Sequence, residues 1–481
     1  MYDTTASFPV YCNECWWSDK WNPTSYGMDF DFSRPFFEQF YELVSKVPKV
    51  CLLQMNNENA EYNAFLAFSK NSYLSAGSFQ IEDCYFLRKS QSSKDCINSN
   101  ALSNCELVAY STNCNNCYGL HYSMNCRNCS DCRYMIDSTN CQNCFMCVGL
   151  NQKNYHFKNQ AFSKEEYEKI LAIYADKSQK EIWEEFISFS QTVPKSAHIQ
   201  LNCENCTGDY LYNCKNTLES TGCFDAEDSK YLFECMGVKD SMDLSCHDKE
   251  IELCYEMSCG GEKNYNTKFC FCTCASPNSE YLFSCFFLAE SFGSDGFHAN
   301  DKNYILNKKY STEEYREMKQ RIVEHMQKTG EYGSFFPPYI SPFGYNETFA
   351  QLYFPLQKEQ ALARGYRWKD LSQKTYQPSQ VQLPENSRQL PDEISQEVLS
   401  CERCKKNYKM LIQELKLYQK LNVAPSKLCP NCRIEALISW RNPKTLWERT
   451  CAQCSAPIQT SYSPDRPEKV VCEKCYLQTI A

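Results

Sequence analysis

A chain of 481 residues with 43% hydrophobic and 23% charged side chains is long enough for about three domains and too apolar to be disordered. Its 15 glycines include no Gly-x-Gly-x-x-Gly and no Gly-x₄-Gly-Lys-Ser/Thr, which excludes the common phosphate-loop motifs. The outlying figures are 34 cysteines and an uneven charge: residues 401–481 carry 14 basic and 7 acidic side chains, whereas residues 1–400 carry 36 and 52.

The opening MYDTTASFPVYCNEC has neither the basic nor the apolar part of a secretory signal, and no run of about 18 apolar residues occurs. A cytoplasmic protein without membrane insertion is expected, its thiols kept reduced as metal ligands or packed side chains. In an oxidising compartment the same even cysteine count would read as a disulfide framework.

Residues 1–50 hold Cys12-Asn-Glu-Cys15, half of a zinc knuckle, followed by Trp16 and Trp17. A helix follows, with Ser33 as its cap, Pro35 in its first turn and Pro48 as its stop. Phe36, Phe37, Phe40 and Leu43 recur at helical spacing as one core-facing stripe. Asp29 and Asp31 are read as solvated caps ahead of it.

Residues 51–200 form a first cysteine-rich β block with closing helices. Its organising run is Asn113–Cys147, where Cys114, Cys117, Cys126, Cys129, Cys132, Cys141, Cys144 and Cys147 are separated by three or nine residues. CELVAYSTN, CYGLHYSMN and CRYMIDSTN share a nine-residue shape, with Cys-x-Asn or Cys-x-Asp triplets inserted between units. Fixed periods of this kind predict a β-solenoid-like stack of short strands and turns, with cysteines between rungs. The two Cys-x-x-Cys-x-x-Cys runs lack the fourth cysteine and proline of bacterial ferredoxins. Packed thiols, a metal inside the block, and redox-active cysteines all stay open, although the acidic to neutral surroundings disfavour a reactive thiol.

The block ends at Ser163-x-x-Glu166, a capping box, and a second helix is expected from Gln179 to Ser190, ending by Pro194. Residues 201–330 repeat the pattern. Cys203-Glu-Asn-Cys206 opens a second cysteine-rich block that runs to Cys285. Lys302-Asn303-Tyr304, Ser311 and Glu314 match Lys153-Asn154-Tyr155, Ser163 and Glu166, an internal duplication at a separation near 148. Residues 331–398 contain an aromatic segment with a short helix near Gln357–Arg364, then a Gln/Ser/Pro-rich linker over 371–398.

Residues 399–481 carry four Cys-x-x-Cys pairs: Cys401/Cys404, Cys429/Cys432, Cys451/Cys454 and Cys472/Cys475. Two knuckles complete a tetrahedron of thiolates, so two closed Zn²⁺ sites are expected, which stabilise folds and do not activate water. A helix over Met410–Leu421 fills the longer interval. Cys12/Cys15 would hold a third zinc if another segment or chain completed it. The six histidines are scattered, with His247 beside Cys246 and Asp248 the one with neighbouring donors. The motifs of zinc proteases, zinc deaminases and serine hydrolases are missing. The basic tail offers Arg433, Trp440, Arg441, Lys444, Trp447, Arg449 and Arg466 as candidates for nucleic-acid contact, with a solvated rim or a protein-docking face as the competing readings.

CPNCR, RNPKTLWERTCAQC, TSYSPDRPEKVVCEKCY, PVYCNECWW, DFDFSRPFFEQF and SPFGYNETFAQLYFPL with GYRWKD resemble a family of functionally uncharacterised cysteine-rich, zinc-ribbon-bearing proteins, mainly from candidate-phyla bacteria. The resemblance spans most of the chain and implies the zinc ribbons. In that family the knuckle matching Cys12/Cys15 follows a first Cys-x-x-Cys and an SPDRP-like strand, which this sequence does not show. Some members carry an automatic CaiB/BaiF-type CoA-transferase label, but no matching motif occurs here. The expected fold is α+β, mostly β: duplicated short-strand blocks, each closed by a capped helix, then C-terminal zinc ribbons. The expected function is a zinc-stabilised scaffold or binding protein whose basic module engages a protein or nucleic acid. The alternative is a metal/redox protein or enzyme using the central cysteines.

Overall fold

The computed structural model describes residues 2, 6, 8–245, 248–370, 376–379, 381–384 and 390–480. It is α+β and mostly strands, with several parallel sheets and, among the described residues, ten α-helices. The helices are α1 (Asn13–Trp16), α2 (Phe36–Val44), α3 (Lys164–Tyr174), α4 (Gln179–Thr192), α5 (Thr312–Thr329), α6 (Ala350–Tyr353), α7 (Lys358–Ala363), α8 (Ile412–Leu421), α9 (Pro430–Ser439) and α10 (Glu473–Ile480).

The first cysteine-rich block forms a six-stranded sheet from Gln54–Met55 to Thr112–Asn115 and a four-stranded one from Arg133–Ile136 to Gln160–Ala161. Successive strands pair in parallel at a spacing of twelve residues: Ala64 lies opposite Ala76, Tyr85 opposite Ile97, and Asn100 opposite Thr112. Single bridges carry the same step through Glu58, Lys70, Glu82, Lys94, Glu106 and Tyr118. The nine-residue unit read from the sequence is therefore incomplete. The pairing step is that unit plus its inserted triplet.

The triplet has a backbone cause. Nearly every third residue lies in the left-handed region, as at Asn104 (φ 51°), Leu107 (56°), Tyr110 (48°), Asn113 (55°) and Asn116 (52°). Asn and Asp tolerate this conformation best among residues with a side chain, which explains their recurrence. They also stack. The Asn104 amide donates to Asn116, Asn116 to Asn128 and Asn128 to Asn140, at 3.2, 3.2 and 2.9 Å.

Inside the turns, cysteine and serine occupy equivalent places. Cys105 Sγ donates to the carbonyls of Ser103 and Cys114, both at 3.4 Å, and Cys117 Sγ to those of Asn115 and Cys126 at 3.3 and 3.5 Å. Ser90 Oγ donates to the Arg88 carbonyl and accepts the Leu102 N–H, both at 3.2 Å. The thiols are thus small buried side chains with a weak donor, seated beside backbone carbonyls. The second block contains a ten-stranded sheet from Gln200–Leu201 to Lys268–Phe271, parallel throughout, with Leu211 opposite Cys223 and Met257 opposite Cys270.

Each block ends in a short antiparallel hairpin and a capped helix. The Ser163/Glu166 and Ser311/Glu314 boxes form as expected, and α4 carries a third box, Ser178/Glu181. α4 lies on the end of the first block, with Phe186 against Tyr134 at 5.7 Å, whereas α2 lies on the end of the second, with Phe36 against Tyr281 and Phe292 at 5.2 and 5.3 Å.

Three local expectations are corrected. Ser33 does not cap α2: it bonds Asp31, and the Glu331 carboxylate accepts the Phe36 and Phe37 N–H groups at 2.9 and 2.8 Å. α2 stops at Val44, before Pro48. Within the expected linker, Leu390 and Ile394 are buried, and the Gln419 side chain of α8 donates to the Leu390 carbonyl at 3.0 Å. Asp29 is exposed, as expected, and pairs with Lys308. No helix among the described residues is long and apolar enough to cross a membrane.

Candidate metal centres

The four C-terminal Cys-x-x-Cys pairs converge into two sets. Cys401, Cys404, Cys429 and Cys432 form one, and Cys451, Cys454, Cys472 and Cys475 the other. Within each set the sulfurs lie within 4.8 Å of one another. Cys404 and Cys429 Sγ are 3.6 Å apart, and Cys454 and Cys472 Sγ 3.7 Å. A tetrahedral ion with metal–sulfur bonds of about 2.3 Å requires sulfurs roughly 3.8 Å apart, so both sets fit such an ion.

The local sequence builds matching knuckles. In each, the residue after the second cysteine is left-handed, Lys405 (φ 62°) and Ser455 (59°), and its N–H returns to the first cysteine's carbonyl at 3.0 Å. The second half of each site sits at a helix start: Cys429 precedes α9, and Cys472 precedes α10. In the second set the N–H groups of Cys472, Gln453 and Cys454 point at Cys451 Sγ from 3.3, 3.5 and 3.5 Å. Burial opposes ionisation of Cys451, but these amides outweigh it and hold the thiol down at about 6. Cys401 reaches about 6 in the same way, burial being overcome by the amides of Cys404, Cys429 and Arg403. Each set therefore favours one thiolate, at Cys401 and Cys451, while burial and neighbouring thiols push Cys429, Cys432 and Cys475 up.

Cys12 and Cys15 are exposed, Cys12 capping the start of α1 and Cys15 lying within it, and Cys12 Sγ accepts the Cys15 N–H at 3.4 Å. Among the described residues neither belongs to a group of three or more metal-binding side chains, and nor does any block cysteine. The described histidines join no such group. His121 is buried, and burial, with Arg133 nearby, lowers it to about 3. His298 packs against Trp16 and Trp21, both at 5.0 Å. Cys246 and His247 lie outside the described residues.

The basic candidates of the tail turn inward. Arg433 is buried and its Nη1 donates to Glu414 at 2.7 Å and Asn98 at 3.4 Å, with its guanidinium over Phe86. Arg441 and Lys444 face Glu234. Arg449 donates to the carbonyls of Tyr462 and Ser463, and Arg466 to Glu468 and Asn442. Trp440 stacks on Trp183 of α4 at 4.6 Å, and Trp447 is half-buried on a hairpin strand. The contacts of Arg433 with Asn98, of Arg441 and Lys444 with Glu234, and of Trp440 with Trp183 dock the tail onto both blocks. Tyr110 donates to the Ala424 carbonyl and Lys420 pairs with Asp95. The strand Val470–Val471 pairs in parallel with Lys195–Ser196, at the start of the second block. The sequence carries no sign of the partners in the blocks, such as Asn98, Asp95 and Glu234, which lie hundreds of residues away.

No family model and no curated protein matches the chain. A solved structure described as "putative acetyltransferase from Desulfovibrio desulfuricans G20" is 10% identical, with 58% of this chain and 82% of that one covered. At a TM-score of 0.12 it carries no inference about fold or activity.

Proposed function

We propose that the chain is a zinc-stabilised scaffold: two duplicated β-solenoid blocks clamped together by two C-terminal Cys₄ zinc-ribbon modules. The observation that carries this reading is the pair of tetra-cysteine sets, in a tail whose Arg433, Arg441 and Trp440 are engaged by the blocks. All-thiolate, tetrahedral sites select zinc over harder cations, and a closed set leaves no position for substrate. The reduced thiols that zinc requires agree with a cytoplasmic setting.

The duplication is supported by detail beyond the capping boxes. Asn159 and Asn307 are both left-handed. Each bonds backbone at the end of its block: Asn159 to the Val148 N–H and carbonyl, Asn307 to those of Asp295. Val-Pro-Lys occurs at 47–49 and 193–195, each time with a buried lysine, and each time leading into a strand paired with the residues just before a Cys-x-x-Cys. Cys12/Cys15 thus stand where Cys472/Cys475 stand in the second half. The twelve-residue parallel register and the recurrent left-handed residues support the solenoid reading.

On this reading a macromolecular partner docks on the first block rather than on the tail. Tyr62, Phe65, Phe68 and Phe79 are 61, 45, 50 and 41% exposed, close to the outermost strand Gln54–Met55. An exposed apolar patch at a sheet edge suits a protein surface better than a phosphate backbone. Photo-crosslinkers at Phe68 should trap protein, and nucleic-acid adducts there would refute this placement. The clamp is tested by chelation. Stripping zinc should open residues 399–481 to limited proteolysis before the blocks are cut, and an unchanged cleavage pattern would overturn the reading.

A further inference from the structure

The seam between the blocks and the tail holds an unbalanced charge. Glu234, on the second block, has a side chain only 6% exposed. Four cations surround its carboxylate. Arg88 Nη2 lies 3.7 Å from Oε2, and Lys89 also pairs with Oε2. Arg441 Nη1 and Lys444 Nζ lie 3.3 and 3.6 Å from Oε1. The Arg88, Arg441 and Lys444 side chains are 7, 8 and 4% exposed, so this excess of positive charge is largely removed from water. Lys444 Nζ and Arg441 Nε are buried and form no hydrogen bond. Burial, with Arg441, Lys89 and Arg88 close by, pushes the Lys444 amine well below its ordinary range, and the Cys223 thiol also faces it.

Aromatic faces offset part of the imbalance. Phe349 lies 4.3 Å from the Arg88 guanidinium, Tyr210 4.5 Å from that of Arg441, and Phe233 4.6 Å from Lys444 Nζ. Such contacts are individually weaker than the desolvation of a buried ion. A cleft of about 310 Å³ opens beside the cluster, lined by Tyr353, Arg403, Glu435, Ile438, Arg441 and Asn442 among others, with Glu435 paired to Arg403 at 3.1 Å. Arg441 borders both cleft and cluster, and the Tyr353 hydroxyl reaches Glu234 Oε1 at 3.5 Å.

We propose that this seam is a binding site for a small phosphorylated anion, admitted by the cleft and held by Arg441, Lys444 and Arg88. Two guanidinium forks suit the oxygens of a multiply charged phosphoryl group better than those of a monocarboxylate, and an anion bound there would draw a proton onto Lys444. Apolar residues at the mouth would accept an organic portion. The site differs from both tetra-cysteine sets and does not depend on what they hold.

The test is calorimetric titration of the full zinc-loaded chain with pyrophosphate at low ionic strength. One site per chain is expected. Lys444→Met, which removes the amine that would be protonated beside the bound anion, should weaken binding about tenfold or more. Glu234→Gln, which removes the competing carboxylate, should tighten it. Metal content unchanged in both variants controls for folding, and if one variant loses metal the other decides. Absence of binding to the wild-type chain, or binding that neither substitution changes, would overturn the proposal.

Discussion

Lys49 and Asp295 form an ion pair whose side chains are 1 and 0% exposed, joining the N-terminal segment to the end of the second block. Burial raises the Asp295 carboxyl to about 7 even beside Lys49, and burial likewise lowers Lys49. The unfolded carboxyl titrates near 3.9. The folded pKa is the higher one, so the stability it contributes is complete below about pH 4 and lost as pH rises through about 7. Lys49→Met keeps the carboxyl and removes its cation. Its stability deficit in urea titrations should widen between pH 6 and pH 8, reaching about 3–5 kcal/mol. A deficit that stays flat or shrinks over that range would show that Lys49 does not hold the carboxylate. At this scale the sequence was most legible where chemistry is local. The eight C-terminal cysteines announce themselves by spacing, and they do converge. Arg433, Arg441 and Lys444 looked like surface cations because Glu414, Asn98 and Glu234 reach them only through the fold.

Among the elements, the capping boxes were readable because both partners sit within four residues. The cap of α2 was not, since Glu331 lies almost three hundred residues downstream of Phe36. Glu331→Ala should therefore destabilise the chain by about 1–2 kcal/mol, as losing a helix cap does. In contrast, Ser33→Ala should change thermal stability little. The cysteine spacing revealed a period of three, but the pairing step of twelve appears only when strands lie side by side. Its thiols interchange with hydroxyls in the same positions: the Cys105 N–H rests on Ser93 Oγ, one step earlier, at 3.3 Å. Cys105→Ser is expected to cost less than about 1.5 kcal/mol and to leave the metal content intact. Cys105→Leu, which overfills the turn, should cost about 1–3 kcal/mol. If Cys105→Ser lowered the metal content, the framework role of the block cysteines would fail.

For the whole molecule, the charge asymmetry between tail and body finds a structural use. Lys420 meets Asp95, and Arg441 and Lys444 meet Glu234, so tail cations lie against acidic groups of the blocks. The second tetra-cysteine module is anchored further by Thr460 Oγ1, which donates to the Ala197 carbonyl at 2.6 Å, and by Ser461, which donates to Asp209. Loss of either metal should thus loosen block contacts as well as the module that holds it. The α+β class and the paired tail sites were legible in spacing and patterning. The docking was not, because it depends on complementary surfaces brought together from distant segments. The most direct measurement is elemental analysis of the full chain purified without air, beside Cys432→Ser, Cys475→Ser and a triple Cys126/Cys129/Cys132→Ser variant. Two zinc ions per chain and no iron are expected. One zinc should be lost in each C-terminal variant and none in the triple variant. Iron in the wild-type chain, or a zinc count that falls with the block cysteines and not with the C-terminal ones, would contradict a scaffold clamped by its C-terminal metal modules.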